Sequence, residues 1–147
     1  MAYSDGEALV LTQLQAVSGF SANNTSRGNW RILNSGKDKC YAIVKPGSWK
    51  VSERSQIGTI WRTVIQVYQR YKDDSTSMTD LEGHYAAIKL RFDQYRKLGD
   101  TTGTISDSRP IEGSLVEDVK YGPDGPSWLR QEITIEWSEE NHVTYAE

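Results

Sequence analysis

Residues that could act in nucleophilic catalysis are scarce in this chain. It has two histidines, His84 and His142, and one cysteine, Cys40. A serine or cysteine nucleophile needs a base within hydrogen-bond reach. His84 lies one position before a residue of an apolar helical stripe, so we expect it to be a partly exposed helical residue. His142 lies in an acidic stretch. Cys40 opens an apolar segment, where it is most simply a small buried residue. We therefore predict no catalytic residues.

Metal and cofactor sites are not indicated either. Two histidines 58 positions apart with one cysteine match no zinc spacing. The pair Asp73-Asp74 lacks the alternating oxygen ligands of a calcium loop, and it is better explained by a turn and a helix start. Gly99, Gly103 and Gly113 fit neither nucleotide-binding fingerprint. We predict no metal and no cofactor. Carboxylates are plentiful, so a small carboxylate-dependent hydrolase stays as a remote alternative.

One segment interleaves aromatic and basic residues as single-strand nucleic-acid binders do: Trp49, Lys50, Arg54, Trp61 and Arg62. The isoelectric point near 5.4 opposes a dedicated nucleic-acid binder, whose domain is usually basic. Tryptophan on a strand of an antiparallel protein is more often a core residue. The core interpretation is therefore favoured, with nucleic-acid binding as the alternative.

Composition favours a globular domain. Apolar residues make up 37% and charged residues 25%, and five tryptophans with eight tyrosines can anchor a core. Apolar runs stay far below the ~18 residues that cross a bilayer, so we expect no membrane association. The first residues lack the basic and apolar regions of a signal peptide. A single cysteine excludes an internal disulfide and favours a reducing compartment.

Charge is distributed unevenly along the chain. Residues 27–72 hold ten Lys or Arg against two acids, a balance of +8, whereas the remainder holds seven bases and eighteen acids, a balance of −11. One interpretation is chance clustering on solvated faces. The other is a bipolar surface suited to head-to-tail contact between copies, or a basic face near nucleic acid.

Hydrophobic periodicity predicts two helices. The first covers residues 5–18, after the capping residues Ser4 and Asp5. The second covers residues 78–98, where Ser77 and Asp80 resemble a capping box. Its apolar stripe steps by four and three residues, as one helix face requires, and we expect the stripe to pack on the sheet. The stripe consists of Leu81, Tyr85, Ile88, Phe92 and Tyr95.

Alternating or β-branched runs predict strands between and after the helices. They cover residues 30–33, 40–44, 58–71, 114–121 and 128–137, with Pro46-Gly47 ending the second run and a turn at 122–126. Residues 99–113 read as a long mobile loop, and residues 138–147 as a frayed acidic tail. The order predicts a single α+β domain spanning 1–147, with a mostly antiparallel sheet and two helices packed on one face.

The order of segments resembles the tail-terminator and tail-completion proteins of long-tailed bacteriophages, small α/β domains that assemble as hexameric rings. The resemblance is carried by a helix ending in a loop (9–20), a short strand with a Pro-Gly turn (42–47), a long strand (63–71), a helix ending in Tyr-Arg-Lys-Leu-Gly (95–99) and a closing strand (128–135). The family has no catalytic motif. Five tryptophans are more than this resemblance leads us to expect.

The resemblance implies a structural virion protein that is not an enzyme. Its partners would be further copies of itself in a homohexameric ring, the tail tube protein and a head–tail neck protein, with DNA passing non-specifically through the ring. It would be made in the host cytoplasm and lie at the head-proximal end of the tail. Ring proteins of the neck share the fold, so a head–tail neck adaptor or head-completion protein is the alternative.

Overall fold

The computed structural model describes residues 3–28, 39–51, 57–120 and 126–140. Within them lie two helices and six strands. In chain order these are α1 (Tyr3–Gln15), β1 (Thr25–Arg27), β2 (Cys40–Val51), β3 (Ile57–Arg70), α2 (Asp74–Gln94), β4 (Ile105–Gly113), β5 (Glu117–Lys120) and β6 (Ser127–Glu140). The strand predicted at 30–33, residues 122–125 of the predicted turn and the tail from 141 onward lie outside the described residues.

The described strands form one sheet, mostly antiparallel. Its order is β1-β2-β3-β6-β4, and β5 pairs with the first residues of β6. β1 runs parallel to β2, and the other pairs are antiparallel. β3 and β6 form the centre and pair from Ile57 opposite Glu140 to Arg70 opposite Trp128. The predicted α+β class with a mostly antiparallel sheet is confirmed.

Both helices pack on the same face of the sheet, which we call the covered face. Alternation along the strands places Val44, Ile65 and Ile133 side by side on it, because these residues are paired across β2, β3 and β6. Residues of α1 and α2 join them in one apolar cluster. The prediction of two helices on one face is therefore confirmed.

The apolar stripe of α2 is confirmed in its centre and wrong at its end. Leu81, Ile88 and Phe92 are fully buried in the core. Tyr85 is half-buried, and its hydroxyl donates a hydrogen bond to the carbonyl oxygen of Glu132 on β6. Tyr95 is instead exposed, because the helix ends at Gln94 and Tyr95 caps it outside the core.

α2 begins four residues before the predicted start. Asp73 is the N-cap, and its carboxylate accepts a hydrogen bond of 2.6 Å from the backbone N–H of Thr76. Ser77, which was expected to cap the helix, is buried in the first turn. Its hydroxyl accepts from the backbone N–H of Lys72 at 2.8 Å. The capping box at Ser77 and Asp80 is therefore wrong, whereas the helix-start interpretation of Asp73 is confirmed.

β2 does not stop at Pro46-Gly47 as the sequence suggested. It continues to Val51 through a β-bulge, since Pro46 pairs with Thr63 and Trp49 pairs with Trp61. A Cβ on Gly47 would lie 2.8 Å from the carbonyl oxygen of Arg62, so the bulge requires glycine there. Proline is tolerated in β2 because the strand is bulged at this point.

The predicted loop at 99–113 is mostly strand. From Ile105 onward the chain forms β4, an edge strand with two register shifts. Ile105 is fully buried in the core. The Asp100 carboxylate organises the preceding turn by accepting hydrogen bonds from the backbone N–H groups of Thr102, Thr104 and Ile105. Similarly, the expected tail at 138–147 begins inside β6, which runs to Glu140.

Candidate functional site

The histidine and the cysteine that the structure describes are both engaged in packing. His84 on α2 is half-buried, and its ring meets Phe20 edge-on at 5.2 Å. Burial lowers the pKa of His84 below its ordinary 6.5, and the charge of Asp80 opposes that shift. Cys40 is buried, with its Sγ 3.6 Å from the carbonyl oxygen of Gly19. His142 lies outside the described residues.

No group of three His, Cys, Asp or Glu side chains able to hold a metal occurs within the described residues. Asp73 is the N-cap residue of α2. Its hydrogen bond from the Thr76 backbone lowers the pKa of its carboxyl. The neighbouring Asp74 is the first residue of the helix.

The face of the sheet away from the helices, which we call the open face, carries a ladder of paired charges. Arg62 Nε lies 3.4 Å from Glu136 Oε2, and Lys45 Nζ lies 3.6 Å from Glu132 Oε2. The amide of Gln66 donates to the same Glu132 oxygen at 2.9 Å. The two central acids thus contact bases or donors from other strands of the sheet.

This ladder changes the interpretation of the uneven charge. Arg27, Lys45 and Arg62 belong to the basic segment 27–72, and each pairs with an acid from outside it. Arg27 Nε, for instance, lies 2.7 Å from Glu7 Oε1 on α1. Part of the uneven charge along the chain is therefore compensated within one copy, by ion pairs between strands and between a strand and α1. Only the remaining charges are left for partners.

One end of the sheet carries a row of aromatic side chains, which we call the aromatic row: Trp49, Trp61, Trp137 and Tyr3. The three tryptophans are direct cross-strand neighbours on β2, β3 and β6. Ring centroids of Trp49 and Trp61 lie 6.2 Å apart, and those of Trp61 and Trp137 lie 5.9 Å apart. Tyr3 of α1 contacts the inner two rings at 5.3 and 5.9 Å.

Exposure rises along the aromatic row. Trp137 is fully buried under α1, where a Cβ on Gly6 would overlap its ring. The indole N–H groups of Trp137 and Trp61 donate to Thr63 and Glu139. Trp49, at the outer end on β2, is 63% exposed. The row accounts for three of the five tryptophans, and it extends the apolar surface from the core to solvent.

The aromatic and basic residues that suggested nucleic-acid binding do not share one surface. The pleat places Trp61 on the covered face and Arg62 on the open face, where Arg62 pairs with Glu136. Trp49 and Lys50 are both exposed, while Arg54 lies outside the described residues. The core interpretation holds for Trp61, which is partly buried against the core, but not for Trp49.

The opposite end of the sheet has an open groove of about 600 Å³ between the start of α2 and β5. We call it the groove. Its apolar side chains come from the residue after β3, from α2, from β5 and the residue before it, and from β6. One acidic and one basic side chain also line it. The lining residues are Tyr71, Met78, Val116, Asp118, Val119, Lys120, Ser127 and Leu129.

The groove could not be recognised from the sequence. Residues 114–121 predict only a weak strand, although Leu115, Val116 and Val119 are apolar in an otherwise polar stretch. Leu115 is 88% exposed beside the groove residue Val116, which is unusual for a large aliphatic side chain. That local excess of apolar residues was the available signal.

The aromatic row and the groove lie at opposite ends of the central strand pair. Trp61 pairs with Trp137 at one end, and Arg70, next to the groove residue Tyr71, pairs with Trp128 at the other. Nine residues of β3 separate the two positions, which is about 30 Å of strand. A single copy therefore presents two different apolar surfaces far apart.

The sequence matches no protein-family model, and no curated protein is similar enough to count as a relative. Neither α1 nor α2 has the length and apolar character to cross a membrane, as judged within the described part of the chain.

Proposed function

We propose that this chain is a structural assembly protein without catalytic function. Copies form a closed ring, a homohexamer, that caps the head-proximal end of the tail tube of a long-tailed bacteriophage. The ring ends tube growth and offers a surface to the neck. The resemblance in segment order supports this proposal, and the α+β fold with two helices on one face agrees with it.

The observation that carries the proposal is the pair of unlike surfaces at the two ends of the sheet. A closed ring built from one kind of chain needs a heterologous contact, in which one patch of each copy meets a different patch of the next. The exposed Trp49 at one end and the groove at the other provide two such patches.

The carboxylates of the open face also favour a structural role over the hydrolase alternative. A glycosidase-type carboxylate pair lies within about 10 Å, with one carboxyl held protonated. Glu132 and Glu136 are four residues apart on β6, which is roughly 13 Å of strand. Both contact basic side chains on other strands of the sheet. This arrangement suits cross-strand pairing rather than proton transfer.

The first test is the mass of the purified chain in solution, measured by light scattering over a range of concentrations. The second is electron microscopy of lysates from a phage whose copy of the gene is disrupted. We expect a ring-sized particle in the first experiment and overlong tails in the second. A monomer at high concentration, together with normal tails, would show that the proposal is wrong.

The same micrographs distinguish the neck alternative. Tails of normal length that lie unattached beside filled heads would indicate a lost neck adaptor or head-completion protein. In that case ring formation would stand, and the tail-capping role would be replaced by a joining role.

A further inference from the structure

We propose that Trp49 of one copy inserts into the groove of the next copy, and that this contact closes the ring. The inference rests on the proposed function and names the surfaces that would form its interface. The occupant of the groove is thus a second copy of this chain.

Trp49 has the features of an interface anchor. It is a large apolar side chain that is mostly exposed, whereas its cross-strand neighbours Trp61 and Trp137 become progressively buried. The Trp61 ring lies on one side of it, with the two ring centroids 6.2 Å apart. Tryptophan dominates binding energy at interfaces because a rigid, wide surface is buried with little loss of side-chain entropy.

The groove has the size and lining to accept an indole ring. Its volume of about 600 Å³ lies within the range of 300–1,000 Å³ that is usual for binding pockets. Tyr71, Met78, Val116 and Val119 supply apolar surface, and each retains some exposure in the single copy. Burial of these side chains by an incoming ring would remove apolar surface from water on both partners.

Charges beside the two surfaces are complementary. Lys50 follows Trp49 on β2 and is exposed, and Asp118 precedes Val119 on β5 and is also exposed. When Trp49 lies against Val119, the adjoining Lys50 can reach Asp118. Lys120, on the other side of Val119, would repel Lys50. The charges therefore favour the approach that places Lys50 toward Asp118, which sets the orientation of the contact.

The separation of the two surfaces makes the contact intermolecular. Trp49 and the groove lie at opposite ends of β3, about 30 Å apart, so a copy cannot fill its own groove. Each copy therefore inserts one tryptophan and receives one. Such a contact is head-to-tail, and its repetition closes a ring when the rotation between neighbouring copies is a whole fraction of a full turn.

The test compares the concentration at which half of the chains are assembled, measured by light scattering or mass photometry. Trp49→Ala removes the inserted ring, and Val119→Glu places a charge in the groove. We expect each to raise that concentration at least tenfold. Leu90→Ala is the matched control, because Leu90 is an exposed apolar residue on α2 outside both surfaces. It should assemble as the unmodified chain does.

Mixing the two defective variants sharpens the test. The Trp49→Ala chain keeps an intact groove, and the Val119→Glu chain keeps its tryptophan, so one competent contact can form between them. We expect mixed dimers and no rings. Charge reversal gives a second arm: Lys50→Glu and Asp118→Lys should each weaken assembly, and the two together in one chain should restore it. Thermal unfolding of each variant checks that it is folded.

The outcomes separate the two proposals. If the unmodified chain stays monomeric and tails are normal, the proposed function fails. If the unmodified chain forms rings and the variants Trp49→Ala and Val119→Glu form them equally well, only this inference is overturned. Rings that persist in Trp49→Ala while binding of single-stranded DNA is lost would also overturn it, in favour of a nucleic-acid surface.

Discussion

On the covered face of the sheet, apolar side chains such as Val44, Ile65 and Ile133 form the centre, and both helices pack against it. On the open face, the centre of the sheet instead carries Glu132 and Glu136, which contact basic or amide side chains from β2, β3 and β4. The same strands build both faces, so the difference comes from alternate residues of one sequence. The covered face removes apolar surface from water, which is the main source of stability. On the open face, forming each ion pair displaces water from both charges, so its net contribution to the free energy of folding is small.

The open face is not uniform along its length. Toward the groove end it holds a second apolar cluster of Tyr41, Ile43, Tyr68 and Trp128, all of which are buried. The guanidinium of Arg70 lies 5.3 Å from the Trp128 ring centre. Ion pairs thus occupy the middle of this face, and aromatic packing occupies its end. The comparison predicts large effects on the covered face and small effects at the ion pairs.

The largest effect is expected at Ile88, at the centre of the covered face. Ile88→Ala should lower the free energy of unfolding by about 2–5 kcal/mol, because it removes buried methylene groups and leaves a cavity. Denaturant unfolding followed by circular dichroism measures the loss. Leu90→Ala on the same helix is the control. Leu90 is 56% exposed, and its replacement should change stability by no more than about 0.5 kcal/mol. Equal losses in the two variants would contradict the assigned packing of α2.

A smaller effect is expected on the open face. Glu136→Gln removes the charge that Arg62 contacts at 3.4 Å and Arg109 at 4.0 Å. The loss should be about 1 kcal/mol or less, because these pairs remain partly solvated. It should shrink further in 1 M salt, which screens charges beyond roughly 3 Å. If Glu136→Gln lowered the free energy of unfolding as much as Ile88→Ala does, and salt did not change the loss, the ion pairs of the open face would be a main source of stability, contrary to this prediction.

The central elements could be predicted from sequence because one local pattern dominates each of them. Alternation in β3 and β6, and the four-three-four spacing of Leu81, Tyr85, Ile88 and Phe92, indicate both the type of element and its buried face. Prediction failed where tertiary pairing overrides a local breaker. Pro46-Gly47 looked like a stop, yet the bulge absorbs it inside β2. Residues 105–113 looked like a loop, yet β6 supplies an edge for them to pair with.

The candidate surfaces were predictable only in part. Trp49 could be singled out from sequence, although not its position at the exposed end of a row. The groove could not be found, because Tyr71, Met78, Val119 and Leu129 come from segments up to 58 positions apart. The charge imbalance suggested a bipolar surface, whereas the fold pairs Arg27, Lys45 and Arg62 internally. The sequence shows where charged residues lie along the chain, but which of them form ion pairs depends on the register of the strands.

The smallest expected effect on stability is its pH dependence through His84, which is half-buried on α2. Burial lowers the pKa of His84, with Asp80 opposing the shift, so the folded chain binds this proton less readily than the unfolded chain. Stability should therefore fall as pH drops from about 7.5 through the ordinary histidine value near 6.5 and on to the lowered folded value. His84→Gln does not titrate, and its unfolding free energy should vary less over that range. The measurement is denaturant unfolding of both chains at closely spaced pH values between 5 and 8. A curve for His84→Gln parallel to that of the unmodified chain would show that contact with Phe20 leaves the imidazole free to charge.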